Sequence, residues 1–431
     1  MSIGDIRNIA LSLLKRRKGS VINVGYYFLA SFIPMLINLV LSPVYSLYLS
    51  AEDFAIVGYY TSFSGLLGPL IIFYMNQYYM REYYFRNDDE RRLLRAMVFK
   101  ASLVYPFLVM GISLLGIYLY MLIFNPDSDI PFAPYALLSL LPLALAGVYR
   151  LELIDCKVQR RANDYFKISL CNTIILVAFS VLFIVVMKWG AFGKMLGAVM
   201  PALILFIWSF LRHKDLLRER FDWKAFKAAI IFCVPLVAAA MMEFFSTGYD
   251  KVFLERYVEL KQLGIYSIGL TIAGYLGVFS NAIGETFNPD IYESIANKNT
   301  KRALTFIFVQ IAIMAVIVIL FIVFARFAIY LLTAGRYVES TPFARIASLA
   351  AISTLTYVSV TPFILSAKKT KVVLYTKILG SIACVATYSY LIKKYGLYGA
   401  AWGYVICPLY FTMFSICFYW LSKRFPSISL L

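Results

Sequence analysis

The chain has 431 residues, of which 61% are hydrophobic and 15% charged, and its formal net charge is +18. Soluble domains are about 45–50% apolar and about 25% charged, so this composition excludes an ordinary water-soluble fold. The surplus of Lys and Arg does not point to a nucleic-acid partner, because its placement along the chain follows a membrane rule instead.

A bilayer crossing takes about 20 mainly apolar residues. In chain order the sequence offers twelve such stretches: 21–49, 54–78, 94–124, 131–154, 165–187, 191–211, 228–254, 262–288, 303–333, 343–367, 372–392 and 397–421. Ten or eleven is the alternative if a weak stretch such as 131–154 only re-enters the membrane. Ahead of the first, Met1–Ser20 has no apolar signal-peptide core and ends in the basic run Lys15–Lys18. Its Ile3, Ile6, Ala10, Leu13 and Leu14 follow helical spacing, so it reads as a helix lying on the membrane surface or as a frayed tail.

With the N-terminus in the cytoplasm, the cytoplasmic loops, counted with their span ends as 1–20, 79–95, 150–167, 212–227, 289–302, 368–377 and 423–424, hold 30 of the 41 Lys and Arg and the opposite loops 7, with Lys100, Lys251, Arg326 and Arg345 deeper within spans. This is the positive-inside signature. Both termini are therefore expected in the cytoplasm, with the basic loops against anionic membrane lipid. Lys100, Arg326 and Arg345 lie toward span ends and are expected to snorkel. The run "FYMNQYYMREYYF" (73–85) reads as an interfacial aromatic belt, with sugar stacking as the alternative. The six cysteines form no C-x-x-C pair and read as small buried hydrophobes, not as a metal site or disulfide scaffold.

The later spans repeat the earlier ones. "GAFGKMLGAV" (190–199) and "GLYGAAWGYV" (396–405) match at Gly190/Gly396, Gly193/Gly399, Gly197/Gly403 and Val199/Val405, an offset that also pairs Gly58 with Gly264 and Tyr60 with Tyr266. The expected fold is an all-α polytopic membrane protein of about 12 transmembrane helices in two six-helix lobes, 1–213 and 214–431. The charged stretch "RHKDLLRERFDWKAFK" (212–227) joins them. Both lobes start on the same side, so a pseudo-two-fold axis along the membrane normal relates them, as in parallel-repeat transporters. The glycines of the repeated motif form a small-residue stripe suited to close helix packing.

These features, with "YDKVFLERYVELKQLGIYSIG" (249–269), resemble the Wzx-type flippases of O-antigen and other lipid-linked oligosaccharides, in the polysaccharide transporter family of the MOP superfamily. The most family-like piece is Asp250-Lys251 followed by Gly264-Ile265-Tyr266. The resemblance implies a V-shaped fold around a central cavity lined by spans 21–49, 54–78, 228–254 and 262–288. It also implies a bacterial inner membrane, an undecaprenyl-diphosphate-linked oligosaccharide as substrate, and surface polysaccharide synthesis as the purpose. A downstream polysaccharide polymerase machinery is the implied partner.

The seventh span, "AAAMMEFFSTGYDKVFLERY" (238–257), admits charge where a mid-bilayer ion costs about 2.5–3.5 kcal/mol on insertion scales. Glu243 and Asp250 lie seven residues apart, so one continuous helix would put them on one face, about 10.5 Å apart along the axis. Glu243, Asp250 and Glu285 are the expected charge- or ion-coupling groups; Lys251, Asn38, Asn76 and Gln77 are the expected substrate-binding positions in a wet cavity. The alternative for Asp250 and Lys251 is that they only reach headgroups at the far interface.

No G-x-x-x-x-G-K-[ST] is present, and the only histidine, His213, lies in a basic stretch. Neither a catalytic constellation nor a cofactor motif is legible, so the chain reads as a transporter driven by an ion gradient, the membrane potential or downstream pull, and not as an enzyme. The rival readings are a MATE-like cation/drug antiporter, a lipid II-type flippase and a non-transporting scaffold. The first span holds no Asp or Glu, which counts against the antiporter.

Overall fold

The computed structural model describes residues 26, 29, 32–366 and 370–424. The Met1–Ser20 surface helix and the start of the first span lie outside these residues. Every regular element among the described residues is helical. In chain order they are α1 (Phe32–Tyr48), α2 (Ala51–Ile72), α3 (Met75–Glu82), α4 (Asp88–Phe124), α5 (Tyr135–Val158), α6 (Ala162–Val181), α7 (Gly190–His213), α8 (Trp223–Met241), α9 (Phe244–Thr247), α10 (Tyr249–Leu254), α11 (Leu260–Gly274), α12 (Leu276–Ala296), α13 (Thr300–Leu332), α14 (Thr341–Ser348), α15 (Ala350–Ser366) and α16 (Thr370–Arg424).

Ten described stretches are long and apolar enough to cross a membrane, with α8–α9, α11–α12 and α14–α15 each running on as one stretch. The last, Val373–Trp420, is 48 residues long and is interrupted at Gly396, whose backbone is non-helical at φ 55 and ψ −129. The shorter α1 is also apolar. The expected first span falls on the shorter α1, and the expected last two both fall on α16.

Local chemistry sets the starts. Ser50 accepts from the Asp53 amide while the Asp53 carboxylate accepts from the Ser50 amide, a capping box that opens α2. Asn87 and Glu90 do the same for α4, with Asp88, Asp89 and Glu90 facing the positive pole of the helix dipole. At about 1.5 Å per residue, the 37 residues of α4 far outrun a hydrocarbon core of about 30 Å. Its charged first turns therefore extend beyond the hydrocarbon.

Gly190 and Gly396 both sit at φ +55, where only glycine is unstrained. Just after them, Gly193 and Gly399 abut the backbone carbonyls of Phe183 and Leu391 of the preceding helix. The repeated glycine motif thus turns the chain and packs two helices together in both places.

Several crossings are broken among the described residues. The second bends where Phe73 and Tyr74 adopt φ 54 and φ 49, rare for bulky side chains, and the Tyr105 hydroxyl donates to the nearby Leu70 carbonyl. The seventh is split into α8, α9 and α10, with Gly248 at the last joint. The eighth is interrupted at Tyr275. The loops at 86–87, 159–161 and 214–222 share one end of the molecule, called here the basic end, where Arg86 lies 3.8 Å from Asp222 and the Tyr84 hydroxyl donates to the Val158 carbonyl. The loops at 49–50, 125–134, 255–259 and 333–340 share the opposite end, as their mutual hydrogen bonds show.

The first and second halves of the sequence meet most closely where α2 lies against α11. A Cβ on Gly264 would overlap the Ala51 carbonyl, and one on Gly58 would lie 2.7 Å from Ser267 Oγ. The two glycines are one offset of the repeat apart, and each accommodates the other half's helix.

Candidate functional site

The seventh crossing carries the site. Its breaks free backbone carbonyls, which inside a membrane need partners. The first arm of α16 supplies them: Ser381 Oγ donates to the Met242 carbonyl at 3.2 Å and the Tyr388 hydroxyl to the Ser246 carbonyl at 2.8 Å. The same arm carries Lys377, whose ammonium pairs with Glu243. Lys377 also lies 4.8 Å from the Tyr357 ring centroid and 4.5 Å from that of Phe411, so two aromatic faces hold the cation. Its side chain is 8% exposed, against 45% for Glu243.

One turn beyond Glu243, Thr247 opens onto a hollow of about 240 Å³ shared with Gly274, Gly277, Ser280, Asn281, Thr354 and Tyr404. Asp250 does not join it. Its carboxylate is fully buried, Oδ2 accepts from the Tyr266 hydroxyl at 2.6 Å, and Oδ1 has no hydrogen-bond partner. The expectation that Glu243 and Asp250 share the face of one helix fails because α9 and α10 re-aim the chain between them. Lys251 is half-buried, with its aliphatic stem beside Gly58.

The other expected positions are scattered. Asn38 donates to the Pro34 carbonyl of its own helix at 2.9 Å. Asn76 and Gln77 fall on α3, beyond the Phe73–Tyr74 break; Gln77 is exposed, and the Asn76 Oδ1 is buried without a partner. Glu285 is exposed on α12, one turn from Asn281. Lys377 went unmarked in the sequence because it was counted with the basic loop 368–377.

The two ends differ. At the opposite end, Asn125 donates to Glu255, Ser128 donates to it at 2.6 Å, and Arg256 reaches the Tyr120 hydroxyl. Burial raises the Glu255 carboxyl above the ordinary range, opposed by the bonds from Ser128 and Asn125. Across the same end, Arg336 donates to the Ser46 carbonyl at 2.9 Å and the Tyr337 hydroxyl to that of Leu49 at 2.6 Å. The loop after α4 thus holds the end of the seventh crossing, and the loop after α13 holds the end of the first. It is one clasp made twice, with the halves exchanged.

At the basic end, α3 and α8 flank an open cleft of about 870 Å³ lined by Arg81, Glu82, Arg86, Asp222 and Lys224 among others. Beside it lies a buried network. Arg95 pairs with Asp155 and, at 3.3 Å, with Glu152, which also bonds His213 at 2.7 Å; the Tyr79 hydroxyl donates to Asp155 at 2.6 Å.

The family model described as polysaccharide biosynthesis protein matches residues 49–342. The chain belongs to that family. An Lsg locus protein of Haemophilus influenzae is 23% identical over 291 residues, covering 66% of this chain and 68% of its own. Among solved structures, an inward-facing multidrug resistance MATE transporter of the MOP superfamily superposes with a TM-score of 0.69 at 12% identity, over 93% of this chain and 98% of its own. The lipid II flippase MurJ in an inward closed conformation gives 0.69 at 13% identity, over 94% and 89%. This polysaccharide biosynthesis protein is therefore a multi-pass membrane protein with the fold of the MOP superfamily. The matched stretch holds Glu243, Asp250, Lys251 and Glu285; Lys377 lies beyond it.

Proposed function

We propose that this protein flips undecaprenyl-diphosphate-linked oligosaccharide units from the cytoplasmic to the outer leaflet of a bacterial inner membrane, for surface polysaccharide such as O-antigen. The two lobes, 1–213 and 214–431, rock against each other by alternating access, and the hollow is lined by the second lobe. The basic end is cytoplasmic, as are both termini, and a downstream polysaccharide polymerase machinery takes the product. The observation that carries this reading is the asymmetry of the ends: both clasps are closed at the opposite end, while the basic end keeps an open cleft between α3 and α8. A bare diphosphate cannot enter hydrocarbon, since an unpaired buried ion costs tens of kcal/mol in the Born picture. A hollow with Thr247, Asn281 and Tyr404 on its wall offers the head a polar path, while the lipid chain stays outside.

Asp250 takes the coupling role in this scheme. It is a fully buried carboxylate with one oxygen unpartnered among the described residues, four residues along the chain from the buried Ser246 hydroxyl, which is unpartnered too. That same observation favours the cation-antiporter reading, which would make the ion, not the lipid, the purpose of the hollow.

Deletion of the gene separates the readings. A flippase predicts that lipid-linked oligosaccharide accumulates on the cytoplasmic leaflet and surface glycan disappears, both restored by the plasmid-borne gene. Normal surface glycan in a strain with no second copy would remove the proposal.

A further inference from the structure

Three features lie close together in the chain around Glu243 and Lys377, although neither residue lines the hollow or the groove. The first is the hollow on the Thr247 side, where Ser280, Asn281 and Thr354 stand among four alanines. The second is an apolar groove of about 310 Å³, lined by Met242 and Phe245 from the seventh crossing and by Ile378, Ser381, Ile382 and Val385 from α16. The Ser381 hydroxyl is already committed to backbone carbonyls, so the groove offers a ligand little but hydrocarbon. The third is the pair itself. Glu243 stands in the chain between Met242 of the groove and Thr247 of the hollow, and Lys377 directly precedes Ile378 of the groove.

A caged, nearly buried cation next in the chain to an apolar groove suits an amphiphile with an anionic head. Glu243 is the more exposed partner, so it can swing into the aqueous space, whereas Lys377 is held by Tyr357 and Phe411. An incoming phosphate oxygen would take the place of the carboxylate, and the lysine would never be left uncompensated.

We propose that Lys377 is the head-binding cation for a prenyl diphosphate, that Glu243 is its resident stand-in, and that the groove between Met242 and Ile382 takes the first isoprene units. This rests on the flippase reading and names the substrate contact of that same site.

The test is binding to the purified full chain in detergent, with farnesyl diphosphate and inorganic diphosphate as the two probes. Wild-type protein should bind the prenylated probe and hold inorganic diphosphate at least about tenfold more weakly. Lys377→Met should weaken farnesyl diphosphate by about tenfold or more, Glu243→Gln should tighten it, and Ile382→Trp should weaken the prenylated probe alone. Ile382 is 63% exposed, so that variant leaves the fold intact even if Lys377→Met does not.

Equal binding of the two probes would mean a free-anion site and overturn the proposal. So would unchanged binding in Lys377→Met, or weakening in Glu243→Gln as large as in Lys377→Met. Predicted binding without leaflet transfer in vesicles would remove the flippase reading and keep the site. Transfer that survives Lys377→Met with unaltered binding would do the reverse.

Discussion

Replacing Arg95 by Met should remove most folded protein, a destabilisation of about 3–5 kcal/mol, the usual loss when one member of a buried ion pair is deleted. Arg95 is the cation beside Asp155, which is fully buried on α5. Glu152 has other partners in His213, Arg161 and Arg212 at 2.7, 3.5 and 3.6 Å. The loss therefore falls on Asp155, which keeps only the Tyr79 hydroxyl. The network joins α3, α4, α5 and α7, so the damage spreads through the basic end of the first half. Thermal unfolding in detergent measures it. The double variant Arg95→Met with Asp155→Asn should recover much of the loss, because no unpaired charge is then buried. An unchanged midpoint for Arg95→Met alone would show that the pair contributes nothing.

The second large effect concerns movement. A Cβ on Gly58 would lie 3.1 Å from Ser267 Cβ, a little under the roughly 3.5–4.5 Å that disulfides span. Gly58→Cys with Ser267→Cys, with the native cysteines replaced, should therefore cross-link α2 to α11 once the helices give by a few tenths of an ångström. Oxidised, the halves cannot part at the opposite end and transport should stop; a reductant should restore it. Each single variant with reductant controls for crowding at the glycine. Full cross-linking with undiminished transport would mean that these helices do not separate, and rocking of the two lobes would have to be abandoned.

The membrane class and most helix positions were legible because hydropathy over about 20 residues is a strong signal. The repeated glycines were legible too: Gly190 and Gly396 share one unusual backbone conformation, and Gly193 and Gly399 make the same close approach. The breaks were not. Phe73 and Tyr74 carry no turn signature, yet both adopt a left-handed backbone. The break at Gly248 re-aims the chain before Asp250, whereas Asn76 and Gln77 lie in the first half and the hollow is lined by the second. Lys377, Glu152 and Asp155 were hidden for another reason. Their partners are 134, 57 and 60 residues distant in the chain, so they looked like ordinary members of basic loops. Asp250 and Glu243 were found as charges, but hydropathy gives no sign of which one reaches water.

The paired clasps have a consequence for leakage. Each half grips the other with the same element, at Glu255 on one edge and at Leu49 on the other. If the halves rock as rigid bodies, both grips yield in one motion, and no stable state leaves a single edge ajar. Protons and small ions then find no partial gap to slip through between one swing and the next, so the bilayer stays insulated.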